Sequence, residues 1–354
     1  MRGITQENRR SFVEMPSSYL TFQGAHMISP TQYIWMDGKL IPWEQAQVHV
    51  LSFTMHYGLG AFEGIRSYRV REGQGSIFRL QDHSERLVES ARLCNIEVPF
   101  SPEEISDSVI QAFAANNLDE GYARPLAFIG TGGMGLSAYN NPVHVVTAVW
   151  AWGAYLGEEG RNNGIRCCVS SFGRIDNRSF MAKGKVPGQY VNSILAKEEA
   201  IRNGYDEALL TDAGGHVLEG SGENLFIVKD GKITTPPYGS GILGGFTRET
   251  IITLAKEKGY EVTEMLFGRD SVYMADEVFL TGTAAEVTPV REVDGRVIGT
   301  GKPGPITKSL QERYDSIVRG ETEDYAGWRT TYPVEFDNKK ESLGSDSGTS
   351  NLIF

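Results

Sequence analysis

A polar, turn-rich stretch near the middle of the chain, Glu158-Glu-Gly-Arg-Asn-Asn-Gly164, limits the possible folds more than any other feature. Segments with few apolar residues and many turn formers mark places where domains join, because few core contacts cross them. We therefore predict an α+β protein with a small domain over residues 34–157, an interdomain loop over 158–164 and a larger domain over 165–332. Residues 1–33 are predicted to be a flexible extension. Residues 333–354, rich in Ser, Gly and Asp, are predicted to be a disordered tail.

Length, charge and cysteine content exclude several classes of protein. With 354 residues the chain can form two substantial cores. Its formal net charge of −11 gives no electrostatic support for binding nucleic acid or an anionic membrane. No apolar run approaches the ~18 residues of a membrane-spanning helix. The three cysteines, Cys94, Cys167 and Cys168, cannot form a disulfide framework, so a soluble cytoplasmic protein is predicted.

Short runs of apolar, β-branched and aromatic residues predict strands in both halves of the chain. In the first half these runs are residues 33–42 (a hairpin turning at Asp37-Gly38), 65–69, 76–80 after a turn at Gln74-Gly75, 122–129 and 143–152. In the second half they are residues 165–170, 207–211, 217–219, 224–229 and 276–283. No internal repeat is visible.

Helices are predicted between these strands from their capping residues. Asp82 is predicted to cap the first helix and Thr247 a later one, and residues 189–203 are predicted to be helical. At Ser101-Pro-Glu-Glu104, serine stands at the cap, proline at the first helical position and glutamate two positions later, which is typical of a capping box.

The stretch Met181-Ala-Lys-Gly-Lys-Val-Pro-Gly-Gln-Tyr190 is the first sign of chemistry. A lysine in an apolar, glycine-rich turn is poorly hydrated and easily deprotonated, which makes it a nucleophile able to form a Schiff base. Taken alone, a loop whose two lysines, Lys183 and Lys185, point into solvent is the more frequent arrangement. The rest of the chain decides between the two.

Three further stretches could bind an anionic cofactor. Gly244-Gly-Phe-Thr-Arg-Glu249 places glycines before a helix, whose free N–H groups and dipole favour a phosphate. Thr281-Gly-Thr-Ala284 offers hydroxyl and N–H groups after a strand. In Leu218-Glu-Gly-Ser-Gly-Glu-Asn-Leu225, Glu219 could be buried and keep a heteroaromatic nitrogen protonated. Each stretch is more often an ordinary turn, but together with a lysine they indicate a pyridoxal 5′-phosphate site.

A series of longer runs supports that indication: Asp37-Gly38, His56-Tyr-Gly58, Phe62-Glu-Gly-Ile-Arg-Ser-Tyr68, Tyr122-Ala-Arg-Pro125, Gly133-Met-Gly135, Trp152-Gly-Ala-Tyr155, Glu219-Gly-Ser-Gly-Glu-Asn-Leu225 and Gly282-Thr-Ala-Ala-Glu-Val-Thr-Pro-Val290. With these runs in order, the chain resembles the fold-type IV pyridoxal-phosphate aminotransferases, and most closely the branched-chain amino acid aminotransferases. The resemblance extends from Tyr33 to about Trp328. It implies a smaller α/β sandwich domain followed by a larger pseudo-barrel domain.

The resemblance also implies which residues hold the cofactor. The family's reactive lysine is followed by x-x-Gly-x-Tyr, a spacing that Lys185 fits and Lys183 does not. By the same matching, Tyr190 is expected to bond the phenolic oxygen of the cofactor, and Glu219 its ring nitrogen. The phosphate is expected to contact Arg86, Thr247, Thr283 and the backbone of Phe246.

For the substrate, the resemblance implies a pocket shared between two subunits. An apolar slot is expected from Phe62, Trp152, Tyr155 and Tyr190, and the partner subunit is expected to add Tyr57, Met134 and Leu136. The side-chain carboxylate of glutamate is expected at Arg124 and Tyr122, and its α-carboxylate at the N–H groups of Thr283 and Ala284. Aromatic residues at strand spacing also occur as plain core. A homodimer is the smallest assembly implied, and a hexamer stays open.

The activity implied is transfer of the α-amine of Leu, Ile or Val to 2-oxoglutarate, with Lys185 as the base and no metal ion. A D-amino acid or (R)-amine aminotransferase, or a lyase of the same fold type, is an alternative that Tyr122-Ala-Arg-Pro125 and Trp152-Gly-Ala-Tyr155 disfavour. A binding protein without activity is a third class, and the set of Lys185, Glu219 and Arg86 disfavours it.

The chain departs from the family pattern at three places. Gln189 stands where asparagine is usual, Gly244-Gly-Phe246 where Pro-Gly-aliphatic is common, and Thr281 where serine is common. These departures concern the phosphate loop and fine specificity rather than the chemistry.

Overall fold

The computed structural model describes residues 28–137, 140–153 and 156–334. Its strands are β1 (Tyr33–Met36), β2 (Lys39–Pro42), β3 (Gly60–Phe62), β4 (Ile65–Arg71), β5 (Gln74–Phe78), β6 (Gly121–Ile129), β7 (Val143–Trp150), β8 (Ile165–Val169), β9 (Glu207–Thr211), β10 (Val217–Gly220), β11 (Asn224–Lys229), β12 (Lys232–Thr235), β13 (Val262–Glu264), β14 (Glu277–Gly282), β15 (Glu286–Val293), β16 (Arg296–Val297) and β17 (Arg329–Pro333). Its helices are α1 (Phe53–Tyr57), α2 (Leu80–Leu93), α3 (Pro102–Ala115), α4 (Gly157–Asn163), α5 (Tyr190–Arg202), α6 (Phe246–Glu257), α7 (Arg269–Tyr273) and α8 (Pro305–Val318). None of these described helices is long and apolar enough to cross a bilayer.

The first sheet has eight strands in the order β17-β5-β4-β6-β7-β1-β2, with β3 paired to β6. Its hairpin β1–β2 turns at Asp37-Gly38 as predicted, and Tyr33 pairs with Pro42. Both turn residues have positive φ, 47° at Asp37 and 85° at Gly38. Such angles suit a two-residue hairpin turn and explain this Asp-Gly pair.

Helices α2 and α3 share a buried core with this sheet. Along α3, Ile105, Val109 and Phe113 recur on one face and are fully buried in a cluster with Ile65 of β4. The predicted capping box at Ser101 is confirmed: its hydroxyl accepts from the N–H of Glu104, whose carboxylate accepts from the N–H of Ser101. Truncation of Phe113 to alanine is expected to cost about 3–5 kcal/mol of folding stability.

The second sheet has nine strands in the order β10-β9-β8-β15-β14-β11-β12-β13, with β16 on β15. Since β10 also pairs with β11, the six strands from β10 through β11 form a closed ring. Alternate apolar side chains from these strands, including Cys167, Leu209, Leu225 and Leu280, form one buried cluster. The predicted barrel-like second half is therefore confirmed.

Two segments differ from the structure predicted for them. Residues 158–164, expected to be a loop, lie mostly in helix α4, because Arg161 on that helix pairs with Glu286 and Asp315 and fixes the segment. Residues 329–333 return to the first sheet as β17, paired to β5, instead of remaining with the larger domain or the tail. Val334 is also buried, with its N–H donating to Gly73. The rest of the predicted tail and residues 1–27 lie outside the described residues.

Smaller corrections concern the ends of elements. Helix α2 begins at Leu80, after Arg79 in the left-handed region, so Asp82 lies in the first turn and is not its cap. The cap of α6 is Gly245, and Thr247 is the second helical residue. Strand β5 already starts at Gln74, and the seventh strand ends at Trp150 rather than at residue 152.

Candidate active site

Lys185 lies between the two halves of the fold. Its backbone N–H donates to the hydroxyl of Ser90 on α2, and its carbonyl accepts from the N–H of Phe62 on β3, each at 3.0 Å. The side-chain ammonium donates to the hydroxyl of Tyr190 at 2.9 Å and lies 5.1 Å from the centre of the Phe62 ring. A lysine held this way has one defined direction and an aromatic setting, which suits a reacting amine.

Glu219 lies on β10 with 5% of its surface exposed. One carboxylate oxygen is 2.5 Å from Nε of Arg174, and the other accepts from the N–H of Leu243 at 3.1 Å and from Asn224 at 3.4 Å. Burial raises the pKa of Glu219 although Arg174 acts in the opposite direction. A further cation beside Glu219 would therefore stabilise its carboxylate. The protonated ring nitrogen of a heteroaromatic cofactor would be such a cation.

Arg86 on α2 points into the same cavity and is held by Glu63. Its Nε and Nη2 donate to the two Glu63 oxygens at 2.6 and 2.9 Å, and Nη1 donates to the carbonyl of Gly244 at 2.7 Å. Glu63 is fully buried and also lies 2.7 Å from Nδ1 of His83. Burial alone would raise the pKa of Glu63, but Arg86 and His83 outweigh it and hold that pKa far below its usual range. The carboxylate is thus charged and fixes the guanidinium in place.

The amino end of α6 faces Arg86. Its cap, Gly245, has no room for a side chain, because a Cβ there would lie 2.1 Å from the amide oxygen of Asn224. The first N–H groups of a helix have no partner within it, so those of Phe246 and Thr247 are available to an anion. The centre of the Phe246 ring lies 4.1 Å from Cζ of Arg86, so a cation–π contact also holds this guanidinium.

The turn after β14 brings Thr283 and Ala284 to this cavity edge. Glu286, just beyond the turn, adopts a φ of 54°, which is unusual for a residue with a side chain. It is buried and paired with Arg161 of α4 at 2.8 Å and with Arg66 of β4 at 3.7 Å. Arg66 also donates to the carbonyl of Ala284 at 3.4 Å. Two separate elements, α4 and β4, therefore hold this turn.

These groups line one cavity: Arg86, Arg174, Lys185, Tyr190, Ser193, Glu219, Ser221, Gly222, Glu223, Asn224, Leu243, Gly245, Phe246, Thr247, Thr281, Gly282 and Thr283. The Thr281 hydroxyl is buried and has no hydrogen-bond partner within the described residues. A buried hydroxyl without a partner is costly, so a ligand with polar groups suits the cavity. Cationic and N–H donors at one end, a buried carboxylate at the other and a lysine between them fit pyridoxal 5′-phosphate.

Next to Lys185 lies an aromatic group. Phe62 contacts Tyr190 with ring centres 4.9 Å apart, and Tyr122 contacts Trp152 at 4.4 Å. The Arg124 guanidinium lies 4.8 Å from the centre of the Phe62 ring and 5.6 Å from that of Tyr122. Within the described part of the chain, no carboxylate pairs with Arg124. The predicted slot residues are thus brought together, apart from Tyr155, which lies outside the described residues.

Tyr57, Met134 and Leu136 were expected to come from a partner subunit, and in this chain they do not line the cavity. Tyr57 is 43% exposed, and its hydroxyl donates to the carbonyl of Met134 at 2.7 Å. Leu136 is 92% exposed. None of the three lines the cavity that holds Lys185 and Glu219.

The amino-transferase class IV family matches residues 60–293, which cover the cavity residues of both sheets. The chain belongs to this family. The predicted fold type and the prediction of an aminotransferase are therefore confirmed, and the sequence motifs identified the family correctly.

Individual class IV aminotransferases are also similar to the chain over most of its length. The branched-chain-amino-acid aminotransferase of Pseudomonas aeruginosa is 51% identical over 297 residues, which is 84% of this chain and 96% of that protein. The crystal structure of the Escherichia coli branched-chain amino acid aminotransferase has a TM-score of 0.82 at 45% identity, covering 84% of this chain and 98% of that one. The T.th. branched-chain amino acid aminotransferase with pyridoxamine 5′-phosphate has a TM-score of 0.82 at 46% identity, with 86% and 99% covered.

Four residues that shape this class IV site received no role from the sequence: Glu63, His83, Arg174 and Asn224. Glu63 holds Arg86, while Arg174 and Asn224 both contact Glu219. His83 acts one step further away, through its contact with Glu63. Glu63 and Asn224 both stand inside runs that support the family resemblance, and this was the available signal for them. The pairing of Arg174 with Glu219 left no local pattern, since 45 positions separate them.

Proposed function

We propose that this chain transfers the α-amino group of Leu, Ile and Val to 2-oxoglutarate, with pyridoxal 5′-phosphate as its cofactor. The observation that carries the proposal is the placement of Lys185 between Tyr190 and Phe62, in one cavity with Glu219 and Arg86. The names of its relatives support the substrate class, and neighbours bound to pyridoxamine 5′-phosphate and to N-(5′-phosphopyridoxyl)-L-glutamate support the cofactor.

Each end of the cavity has one role toward the cofactor. Arg86, Thr247, Thr283 and the N–H of Phe246 would hold the phosphate, where a helix amino end and a guanidinium both favour negative charge. At the other end Glu219 would hold the proton on the ring nitrogen, and the hydroxyl of Tyr190 would bond the phenolic oxygen. When bound, the cofactor supplies an electron-poor ring that accepts the electron pair released at the substrate's α-carbon.

Lys185 would move the proton of that α-carbon. Its amine lies against the Phe62 ring and the Tyr190 hydroxyl, which together fix the direction in which it reaches the cavity. A base held within reach of the proton contributes typically a factor of about 10² to 10⁴ to the rate.

Substrate choice would follow from the aromatic group. Phe62, Trp152, Tyr155 and Tyr190 would form the slot for an aliphatic side chain, with Tyr122 beside Arg124. Arg124 would pair with the side-chain carboxylate of glutamate, since an unpaired carboxylate among aromatic rings is costly. The N–H groups of Thr283 and Ala284 would receive the α-carboxylate of either substrate.

We further propose a homodimer as the smallest active unit, with a hexamer as a larger form, in the cytoplasm. The supporting observation is a surface around the contact of Gly58 with Gly188, where N–H and carbonyl are 2.9 Å apart. Exposed apolar side chains lie on both sides of this contact, before Gly58 and along α5: Val48, Val50, Leu51, Met55, Tyr57, Val191, Ile194 and Leu195. Apolar surfaces of this kind mark protein interfaces. A second copy seated there would cover the Tyr57–Met134–Leu136 group.

An amino-donor panel with 2-oxoglutarate tests the proposed activity. Purified protein with pyridoxal 5′-phosphate is expected to form glutamate from L-leucine, L-isoleucine and L-valine, and not from D-alanine or an (R)-amine. Turnover with D-alanine alone would refute the substrate class while leaving the cofactor site intact. Sedimentation of the same sample reports the assembly, and a monomer with full activity would refute the dimer.

A further inference from the structure

The segment that carries Lys185 contains one other lysine, Lys183. The side chain of Lys183 does not point into solvent. Its ammonium donates to the carbonyl groups of Tyr238, Ser240 at 3.5 Å and Ile242 at 2.9 Å. It also lies 3.8 Å from the centre of the Tyr238 ring. An ammonium group has three N–H donors, so three carbonyls and an aromatic face fully occupy it. Lys185, two residues along, has an entirely different set of contacts.

The loop that Lys183 holds leads directly into the cofactor cavity. Immediately after it, the N–H of Leu243 donates to Glu219 at 3.1 Å, and the carbonyl of Gly244 accepts from Arg86 at 2.7 Å. The carbonyl of Leu243 also accepts from Asn224 at 2.9 Å. The loop therefore contacts both the carboxylate at one end of the cavity and the guanidinium at the other, and its position affects both.

Among the described residues, the other hydrogen bonds from outside to residues 236–242 lie near the start of this stretch, while the Ile242 side chain at its end is buried. Arg248 donates to the carbonyl of Pro236 at 2.9 Å, and Glu264 accepts from the N–H of Tyr238 at 3.1 Å. Apart from its carbonyl contact with Lys183, Ser240 bonds within the loop, through its hydroxyl to Pro237. Among the described residues, Lys183 is thus the cross-link between this loop and the segment that carries Lys185. Burial lowers the pKa of Lys183, while Glu219 acts in the opposite direction.

We propose that Lys183 is a positioning residue: it fixes the loop over residues 238–244 and, through that loop, sets Glu219 and Arg86 for the cofactor. It contacts neither cofactor nor substrate. The inference rests on the cofactor site proposed above. Loss of Lys183 therefore weakens binding of the cofactor much more than it slows the reaction of the enzyme once the cofactor is bound.

Binding of pyridoxamine 5′-phosphate, followed by quenching of tryptophan fluorescence, tests this without chemistry. This compound carries an amine where pyridoxal 5′-phosphate carries an aldehyde, so Lys185 cannot react with it. Lys183→Met is expected to raise the Kd by about tenfold to a hundredfold, the size of a lost hydrogen-bonded charge. Lys183→Arg, whose N–H groups also reach carbonyls, is expected to recover part of the loss. Lys232→Met, which removes a surface lysine paired with Glu261, is the matched control and should stay within twofold.

The outcomes separate cleanly. A Lys183→Met protein that binds pyridoxamine 5′-phosphate within twofold of wild type overturns the inference. So does a Lys183→Met protein that loses turnover at saturating cofactor as completely as Lys185→Ala, because that result would make Lys183 catalytic. Wild-type protein that fails to bind the compound refutes the proposed cofactor site instead. If circular dichroism shows that Lys183→Met does not fold, Lys183→Gln, which keeps two N–H donors, replaces it under the same criteria.

Discussion

The two ends of the site are built in opposite ways. At the cofactor end, Arg86 is held by buried Glu63 and by a carbonyl, and Glu219 by three separate groups. At the proposed substrate end, the Arg124 guanidinium contacts aromatic rings and pairs with no carboxylate within the described residues. Leu136, which is expected to serve this end, is 92% exposed. The charged side chains at the first end are thus paired within one chain, whereas the Arg124 guanidinium at the other end has no carboxylate partner among the described residues.

This difference matches what the two ends are proposed to bind. The cofactor is one molecule with fixed charges, so groups held in advance need no reorganisation when it binds or reacts. The substrate pocket has to accept an aliphatic side chain in one half-reaction and a carboxylate in the other. A guanidinium without a built-in partner can serve the second without hindering the first. Changes at the cofactor end should therefore affect both substrates equally, and changes at the substrate end should separate them.

The largest effect is expected at the lysine between the two ends. Lys185→Ala should abolish turnover with every donor, because no other amine lies against Tyr190 and Phe62 in the described chain. Pyridoxamine 5′-phosphate should still bind, since Arg86 and the start of α6 are intact. Steady-state assays at saturating cofactor and a binding titration measure the two properties. Retained turnover would mean that Lys183, or another lysine, is the reactive one.

The next largest effect is expected at the carboxylate of the cofactor end. Glu219→Gln has nearly the same shape but cannot stabilise a positive charge on the ring nitrogen. The proton-transfer half-reaction should slow by about a hundredfold to a thousandfold with leucine and with glutamate alike, the size seen when one preorganised electrostatic partner is lost. Single-turnover absorbance measurements give the rates. An unchanged rate with either substrate would remove Glu219 from this role.

A change at Arg124 is expected to affect glutamate and 2-oxoglutarate much more than leucine. Arg124→Met leaves a carboxylate unpaired, so the KM for glutamate and 2-oxoglutarate should rise by roughly 30-fold to 700-fold, or about 2–4 kcal/mol. The half-reaction with leucine should change much less, and it serves as the internal control. Equal losses with both donors would indicate that Arg124 only supports the strands.

The choice of Lys185 over Lys183 depends on the family resemblance, because the residues alone left both lysines open and the family's spacing of glycine and tyrosine fits only Lys185. The capping box at Ser101 was predicted from four adjacent residues. Both patterns involve only residues within a few positions of each other in the chain. Most of the longer strands were found from local composition as well, since alternation and β-branching act locally, but β15 and the short strands β3, β12, β13, β16 and β17 were not predicted.

What could not be predicted depends on contacts between distant residues. Arg86 and the carbonyl of Gly244 are separated by 158 positions, and the pairing of Tyr332 with Gly75 places the last strand in the first sheet. The segment 158–164 looked like a loop because its composition is polar. Its ordered form comes from ion pairs of Arg161 with Glu286 and Asp315, which no local pattern contains.

A smaller effect is expected on folding stability when the pH is lowered, through Glu63 at the cofactor end. The pKa of Glu63 in the folded protein lies below its ordinary value of 4.5 because Arg86 and His83 outweigh the effect of burial. Its stabilising contribution is therefore present above about pH 4.5 and is lost as the pH falls below that value. Glu63→Gln should flatten this acid-side loss of stability and weaken binding of pyridoxamine 5′-phosphate about tenfold, the order of one charged hydrogen bond. Thermal unfolding between pH 3.5 and 7 measures the slope, and an identical slope in both proteins would exclude Glu63 as its source.

The smallest effect is expected at the exposed rim. Leu136→Ala should raise the KM for leucine only about fivefold, close to the 1 kcal/mol of a partly buried aliphatic contact, and leave the KM for pyridoxal 5′-phosphate unchanged. The reason is that Leu136 would reach the pocket of the other subunit, whose cofactor end is complete without it. Val297→Ala, an exposed aliphatic residue on β16, is the matched control and should change neither value. Hybrid dimers with Lys185→Ala sharpen the comparison: a Lys185→Ala subunit that carries wild-type Leu136 should restore the normal KM in the active site of a Leu136→Ala partner. If the KM stays raised in such hybrids, Leu136 serves the pocket of its own subunit, and the substrate end is as self-contained as the cofactor end.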